Sequence, residues 1–479
     1  MSKTGRKIFK GTFWTGIELV VNRGFGFLIK LVLARILFPE DFGLVGMAAV
    51  FTTFVQVFSE LGMGSALVQR DEKLLKETHF HTAFWTGVIW SILIFLIMCF
   101  VVTPLASWFY EQPMLNSIIP VLSLGILASP VNMIHKSQLT KALDFKKMTI
   151  INNSSNIVSG SVALILALTG AGVWALVFNS VANSLIAIPL YFKATGWKPK
   201  LIWDKTSFKD IFGFGAYYTG TKVFNKITSQ IDYLIVGKLL GAASLGIYTL
   251  AFVLTETIRS QLMSIVNKVM YPVYSSFQND TEKLKDYYLK VLRYNALLIY
   301  PVLFFLAVFA EPFVLLVYGD KWAESVPIVQ IISIASVVHM LVNSNTSLIR
   351  GSGRPKLELI LQLVKSLMFF VPLIIAGTYY YGLIGTAIGY AIAKTLAVIL
   401  SVIVMTKIFG IDFKSLMKAA AGPFFTSFIP ATISYIMLVF GINPFICFAG
   451  FTVTLGLIFY FFWKKELLQI KKLRKSKSD

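Results

Sequence analysis

The chain has 479 residues, 56% of them hydrophobic and 14% charged, with a mean hydropathy of +0.73. Soluble domains carry about 25% charged residues, so this balance excludes a soluble enzyme or binding module and points to a polytopic membrane protein. A net charge of +21 would suggest nucleic acid in a soluble chain. Here the placement of the basic residues in loops accounts for it, and no nucleic-acid partner is expected.

The start, "MSKTGRKIFKGTFWTG", is basic and then apolar. Its apolar run is too long for a signal-peptide core and no small-residue cleavage site follows, so it reads as a retained first helix. A crossing needs about 20 mostly apolar residues. With breaks at polar, Gly and Pro clusters, this predicts helices over 11–37, 42–69, 81–109, 115–136, 148–169 and 173–192. A second group follows over 210–237, 244–274, 288–318, 325–349, 357–379 and 382–406, and a final pair over 415–440 and 443–463. The expected fold is all-α, a polytopic membrane protein of about 14 transmembrane helices, arranged as two parallel six-helix repeats plus two C-terminal helices. The expected domains are 1–200, 201–410 and 411–479.

Most lysines and arginines fall in the loops on one side of this layout, which the positive-inside rule places in the cytoplasm together with both termini. The tail "KKLRKSKSD" reads as disordered and as a contact for anionic membrane lipids. Pro130, Pro189, Pro301, Pro372 and Pro430 sit within predicted spans and permit kinks. Cys99 and Cys447 lie in apolar runs and read as small buried hydrophobes rather than a disulfide or metal set.

The two groups of helices echo each other. At one fixed offset "NRGFGFLIKLVLARILFPEDFGLVGMAAVF" lies over "NKITSQIDYLIVGKLLGAASLGIYTLAFVL" without a gap. Asn22 falls on Asn225, Arg23 on Lys226, Arg35 on Lys238 and Gly43 on Gly246. Further on, "GVWAL" after Gly172 lies over "GLIGT" after Gly382. Six helices is an even number, so the halves share one orientation, and transporters built this way place substrate between them.

Charges within spans are expensive and usually face a wet cavity or a partner. The embedded cations are Arg23, Lys30, Arg35, Lys222, Lys226, Arg259, Lys268, Lys365 and Lys394; the embedded acids are Glu18, Glu60, Asp232 and Glu256. Gly16, Leu19, Arg23, Gly26 and Lys30 share one helical face by their spacing, and Thr219, Lys222, Lys226, Ser229 and Tyr233 share the corresponding face of helix 7. Arg23, Lys226, Arg259 and Gln56 fall at one depth near the middle of the membrane. Such a cationic layer suits an anion: Arg binds phosphate bidentately and Lys acts as a point charge. The expected substrate-binding residues are Arg23, Lys226, Arg259, Lys30, Lys222, Gln56, Asn22 and Asn225. Glu18, Glu60, Asp232 and Glu256 are the coupling or gating candidates. Arg35 and Lys268 lie near helix ends, where snorkelling accounts for them. Glu256 and Arg259, spaced i, i+3, can also pair along their own helix.

Other chemistry is missing from the sequence. His79 and His81 in "ETHFHTAF" lack zinc spacing, no GxxxxGK[ST] motif occurs, and no Ser/His/Asp set can be assigned. No metal, cofactor or catalytic residue is expected, and the chain does not read as an enzyme.

"LARILFPEDFGLVGMAAVFTTFVQVFSELGMGSALVQR" and "DYLIVGKLLGAASLGIYTLAF" resemble the repeat signatures of bacterial polysaccharide flippases. These are the O-antigen, colanic-acid and teichuronic-acid type exporters of the multidrug/oligosaccharidyl-lipid/polysaccharide exporter superfamily. The resemblance covers nearly the whole chain. It implies two six-helix bundles, alternating access, and a polyprenyl-diphosphate-linked oligosaccharide as substrate in the bacterial plasma membrane. Polysaccharide polymerase and glycosyltransferases are the implied partners. Family members use cationic residues on helices 1, 2, 7 and 8; Arg23, Lys226 and Arg259 match in kind, while helix 2 offers Gln56 and Glu60 instead. In some relatives the last two helices form a lipid groove; here they are nearly uncharged. The rival readings are a cation-coupled multidrug exporter of the same fold and a membrane-embedded polysaccharide polymerase or ligase. The cationic balance opposes the first and the short outer loops oppose the second.

Overall fold

The computed structural model describes residues 24–59, 61–71, 73–212 and 230–475. They form helices, turns and short connections, with no strand among the described residues. Ten segments are long and apolar enough to cross a membrane. Two of these hold a sharp break each. Ile231–Met263 bends at Gly241 (φ 82°, ψ −176°), and Pro355–Phe409 breaks at Tyr381 and Gly382 (φ 59°, ψ −142°). Both glycines adopt the positive φ that a side chain resists, and each marks the predicted turn between two crossings.

Contacts divide the chain into two compact units, Met1–Gly246 and Ile247–Asp479. In the first, α1 covers 24–36, α2 Pro39–Ser59 and α3 Met63–Gln69. The sequence predicts one helix over 42–69; the break instead falls at Leu61 (φ 46°) and Gly62 (φ 65°), where left-handed backbone ends α2. α4 (Glu77–Ile97) continues through a π-helical stretch, Met98–Val102, into α5 (Thr103–Tyr110) as one rod. The widened turn leaves carbonyls to satisfy, and Thr103 Oγ1 donates to Met98 O at 2.7 Å.

α6 (Leu115–Leu127) and α7 (Ser129–Lys141) follow, then α8 (Phe145–Leu168), capped by the Asp144 carboxylate, and α9 (Val173–Thr195). α10 spans 205–212, and α11 is Ile231–Phe252. Ile29, Leu33 and Leu37 of α1 bury against Ala163, Ala167 and Ala175 of α8 and α9. Gly160 permits this approach, because a Cβ there would stand 2.9 Å from Ile29.

In the second unit a π stretch, Val253–Thr257, leads into α12 (Ile258–Ser276). α13 (Thr281–Val317) is 37 residues long, about 55 Å at 1.5 Å per residue. That exceeds the roughly 30 Å hydrocarbon core, so its polar first turns extend beyond the membrane. Hydropathy missed them, placing the start at 288; the Asp280 side chain that caps the helix, accepting from Lys283 N at 3.0 Å, is the signal for the true start.

α14 (Ser325–His339), a 3-10 turn and α15 (Asn345–Gly351) form the next crossing. α16 (Pro355–Val364), a π stretch over Lys365–Phe370, and α17 (Val371–Phe409) follow. Within α17 the two arms cross where small residues let the backbones meet. Cβ atoms at Gly377 and Gly385 would each fall about 2 Å from the other's carbonyl oxygen, and Thr378 and Thr386 share a hydroxyl hydrogen bond at 2.9 Å.

α18 (Phe413–Val439) and α19 (Pro444–Lys475) pack on α13 through Phe309, Ala431, Cys447 and Phe451. Cys99 and Cys447 are free thiols. The basic tail departs from the expectation of disorder. Helix continues to Lys475, because lysine, arginine and leucine are good helix formers and cations favour a helix C-terminus.

The repeat is visible in the backbone. Gly172 before α9 and Gly382 within α17, matched in the sequence, have nearly the same dihedrals (φ 55°, ψ −130° and φ 59°, ψ −142°). At the offset that maps Gly43 onto Gly246, Pro39 maps onto Ala242. A Cβ at Gly43 would meet Ala242 O at 1.7 Å, and one at Gly246 would meet Pro39 O at 1.8 Å. That reciprocity is what a two-fold relation between equivalent segments requires.

Candidate functional site

The described residues place one dense group of charges inside the apolar spans, in the second unit. Glu256 lies in the π stretch between α11 and α12, and Arg259 lies one turn further on. Both are buried, at 5% and 7% exposure. Arg259 grips the carboxylate with two parallel bonds, Nε to Oε1 at 3.0 Å and Nη2 to Oε2 at 2.7 Å. Its third arm, Nη1, donates to Asn343 Oδ1 just beyond α14. Ser336 Oγ on α14 donates to Glu256 Oε1. From α17, Lys394 Nζ stands 3.7 Å from Glu256 Oε2 and 5.1 Å above the Tyr390 ring. Phe252 and Phe370 pack edge-on against that ring, with centroids 6.1 and 5.8 Å away.

This arrangement has a local cause. A π turn inserts one extra residue and re-aims the side chains around it, and the Glu256 carboxylate emerges from such a turn. A second π stretch begins at Lys365, whose charge acts on Lys394 and on His339. Two widened turns thus bring charged residues toward one place. Desolvating a carboxylate and a guanidinium costs several kcal/mol per ion unless each lone pair and proton is met. Both carboxylate oxygens and three guanidinium nitrogens of this pair are met. His339 Nδ1 and Asn343 Nδ2 are buried without a hydrogen-bond partner, so the cluster keeps polar capacity in reserve.

Against the sequence expectation, Glu256 and Arg259 come together, and their i, i+3 pairing along the helix is observed. Arg259 spends three nitrogens on Glu256 and Asn343. Asp232 is buried, at 3% exposure, in the first turn of α11. Lys30 is exposed on α1, and Gln56 is placed on α2 by its backbone. Glu18, Asn22, Arg23, Glu60, Lys222, Asn225 and Lys226 lie outside the described residues. Sequence reasoning had Lys394 and Lys365 as embedded charges without a partner, and it missed Ser336, His339 and Asn343. The available signal was their spacing: 336, 339 and 343 share one helical face. Among the described residues no group of His, Cys, Asp and Glu is arranged to hold a metal ion.

The spans, the internal repeat and the buried ion cluster define an all-α, multi-pass membrane protein. Its fold is that of the structure of the lipid II flippase MurJ in an inward closed conformation, with a TM-score of 0.72 over 96% of this chain and all of that one, at 15% identity. The model of the polysaccharide biosynthesis protein family matches residues 32–327, more than half of the sequence, and the chain belongs to that family. It is 26% identical over 436 residues to the lipopolysaccharide biosynthesis protein WzxC of Escherichia coli, covering 90% of this chain and 87% of that protein. It is 25% identical over 361 residues to the teichuronic acid biosynthesis protein TuaB of Bacillus subtilis, covering 74% of each.

Proposed function

We propose that this protein is a flippase that carries polyprenyl-diphosphate-linked oligosaccharide repeat units across a bacterial plasma membrane for surface polysaccharide biosynthesis. The observation that carries the reading is the near full-length likeness to a lipopolysaccharide biosynthesis protein, on a fold shared with a lipid II flippase. The two six-helix repeats, 1–200 and 201–410, act as the moving bundles of an alternating-access cycle, and 411–479 adds two helices and a basic tail. Both termini face the cytoplasm, where the basic loops lie. The protein is a transporter and performs no covalent step. Its partners are the polysaccharide polymerase and glycosyltransferases that supply and use the repeat unit.

The diphosphate is held by Arg23 and Lys226, repeat equivalents at one depth, with Asn22, Asn225, Lys30, Lys222 and Gln56 beside them. Arg259 completes the set on helix 8, oriented by Glu256. Glu18, Glu60, Asp232 and Glu256 serve coupling or gating. Planar guanidinium and point-charge ammonium together suit a diphosphate better than either alone.

The test is complementation of a strain lacking its own exporter. Arg23→Ala with Lys226→Ala abolishes surface polysaccharide while membrane levels of the protein stay unchanged. Normal polysaccharide from that double variant would refute the assignment of the site.

A further inference from the structure

Between α9 and α10 the chain leaves helical geometry, and residues 196–204 run as coil. This coil is stitched to the side of α4. Lys200 N donates to His81 Nδ1 at 3.2 Å and Asp204 N to Thr82 Oγ1 at 3.0 Å. Trp85 Nε1 donates to Lys200 O at 2.7 Å, and Trp203 Nε1 donates to Thr86 Oγ1 at 3.1 Å. The four α4 partners lie within the first ten residues of that helix, whose start at Glu77 opens a membrane span. At 1.5 Å per residue they stand about 6–14 Å from the helix start. Interfacial segments bury their apolar face about 5–10 Å into the headgroup and acyl boundary.

What the coil carries to that depth is apolar and outward-facing. Leu201 is 88% exposed and Trp203 54% exposed, with Ile202 between them also exposed. On either side Lys193, Lys198, Lys205 and Lys209 are exposed. The two nearby carboxylates are turned to other tasks. Asp204 Oδ2 accepts from Ser207 N at 2.7 Å, and Asp210 pairs with Arg70 at 2.6 Å and with His79 at 3.4 Å. Among the described residues neither carboxylate answers the four lysines. The result is an apolar tip ringed by cations and fixed to a transmembrane helix.

We propose that residues 193–212 form a membrane-interface wedge that binds anionic phospholipid headgroups: Leu201, Ile202 and Trp203 enter the acyl boundary, and Lys193, Lys198, Lys205 and Lys209 take the phosphates. The occupant is lipid because the tip is hydrogen-bonded along a membrane span, where a soluble acidic protein has no access. Trp belongs at this level of a bilayer, and juxtamembrane lysines attract anionic lipid. The wedge is independent of what the protein transports.

The experiment uses the full-length protein in nanodiscs of phosphatidylcholine with and without phosphatidylglycerol, and brominated acyl chains as quenchers of tryptophan fluorescence. The Trp203 component is the wild-type signal minus that of Trp203→Phe. Brominated phosphatidylglycerol quenches this component at lower mole fraction than brominated phosphatidylcholine. The variant Lys198→Gln, Lys205→Gln, Lys209→Gln lowers that preference by about five-fold or more and leaves quenching by phosphatidylcholine in place. Leu201→Ser with Ile202→Ser weakens quenching by both lipids. All these side chains are exposed, and size-exclusion chromatography checks that each variant remains monodisperse. A Trp203 component that no brominated lipid quenches would overturn the proposal and leave the patch to a protein partner. Equal quenching by the two wild-type lipid mixtures, or a preference surviving in the triple-lysine variant, would overturn the headgroup assignment.

Discussion

The α8–α9 pair of the first unit and the α16–α17 run of the second are repeat equivalents that share a hinge geometry, at Gly172 and Gly382, yet carry opposite polar chemistry. Between α8 and α9 the polar groups are neutral: Tyr191 OH donates to Asn152 Oδ1 at 3.0 Å, and Asn183 Nδ2 to Ser159 Oγ at 3.4 Å. In the second unit the same part of the repeat supplies Lys365 and Lys394, and Lys394 faces the Glu256–Arg259 pair. Neutral amides and hydroxyls are desolvated cheaply and fix packing. Charges are retained in a span only where partners or a wet path hold them. The scaffold has been duplicated; the charge has been placed in one copy of this helix pair.

That contrast can be broken experimentally, beginning with the charges. Glu256→Ala leaves Arg259 and Lys394 buried without their carboxylate and costs about 3–5 kcal/mol, read as a collapse of thermal stability in detergent. Pairing it with Arg259→Met restores most of the loss, since removing both ions removes the desolvation demand. A double variant as unstable as the single one would mean that the pair is not the source of the cost. Next in size are Gly43→Ala and Gly246→Ala, where a methyl group enters a neighbour's backbone and overpacking costs about 1–3 kcal/mol. Their reciprocal contacts predict losses of similar size, and strongly unequal melting shifts would argue against the two-fold relation at this point.

The neutral side of the comparison answers to Tyr191→Phe. It removes one hydrogen bond to Asn152 and lowers stability by about 1 kcal/mol, several-fold less than Glu256→Ala. The smallest expected effect concerns Glu111, outside the spans. The hydrogen bond and charge of Lys238, at 2.8 Å, hold its carboxyl below the usual carboxylate range. A lowered folded value stabilises above the ordinary carboxylate range, and the gain disappears as pH falls through the lowered value. Wild type and Glu111→Gln therefore differ slightly in melting temperature at neutral pH and converge in acid.

The sequence carried the crossings well where apolar runs were long, because each span must satisfy its backbone internally. The repeat was legible because Gly43/Gly246 and Gly172/Gly382 recur at backbone positions that exclude a side chain or need positive φ. Helix ends outside the membrane were not, as α13 and α19 illustrate, since hydropathy is silent once a helix enters water. The Glu256–Arg259 pair could be read from i, i+3 spacing. Its engagement by Ser336, Asn343 and Lys394 could not, because those contacts join residues more than 75 positions apart and depend on how π turns rotate the side chains.

The most direct test of the transport reading is flipping in proteoliposomes. A fluorescent polyprenyl-diphosphate oligosaccharide is placed in the inner leaflet, and its arrival outside is scored by a membrane-impermeant glycosidase. The account predicts protein-dependent exposure of the glycan that is lost with Arg23→Ala and Lys226→Ala and is much weaker for the monophosphate-linked glycan. Exposure no faster than in protein-free vesicles, or equal for the monophosphate and diphosphate lipids, would contradict it.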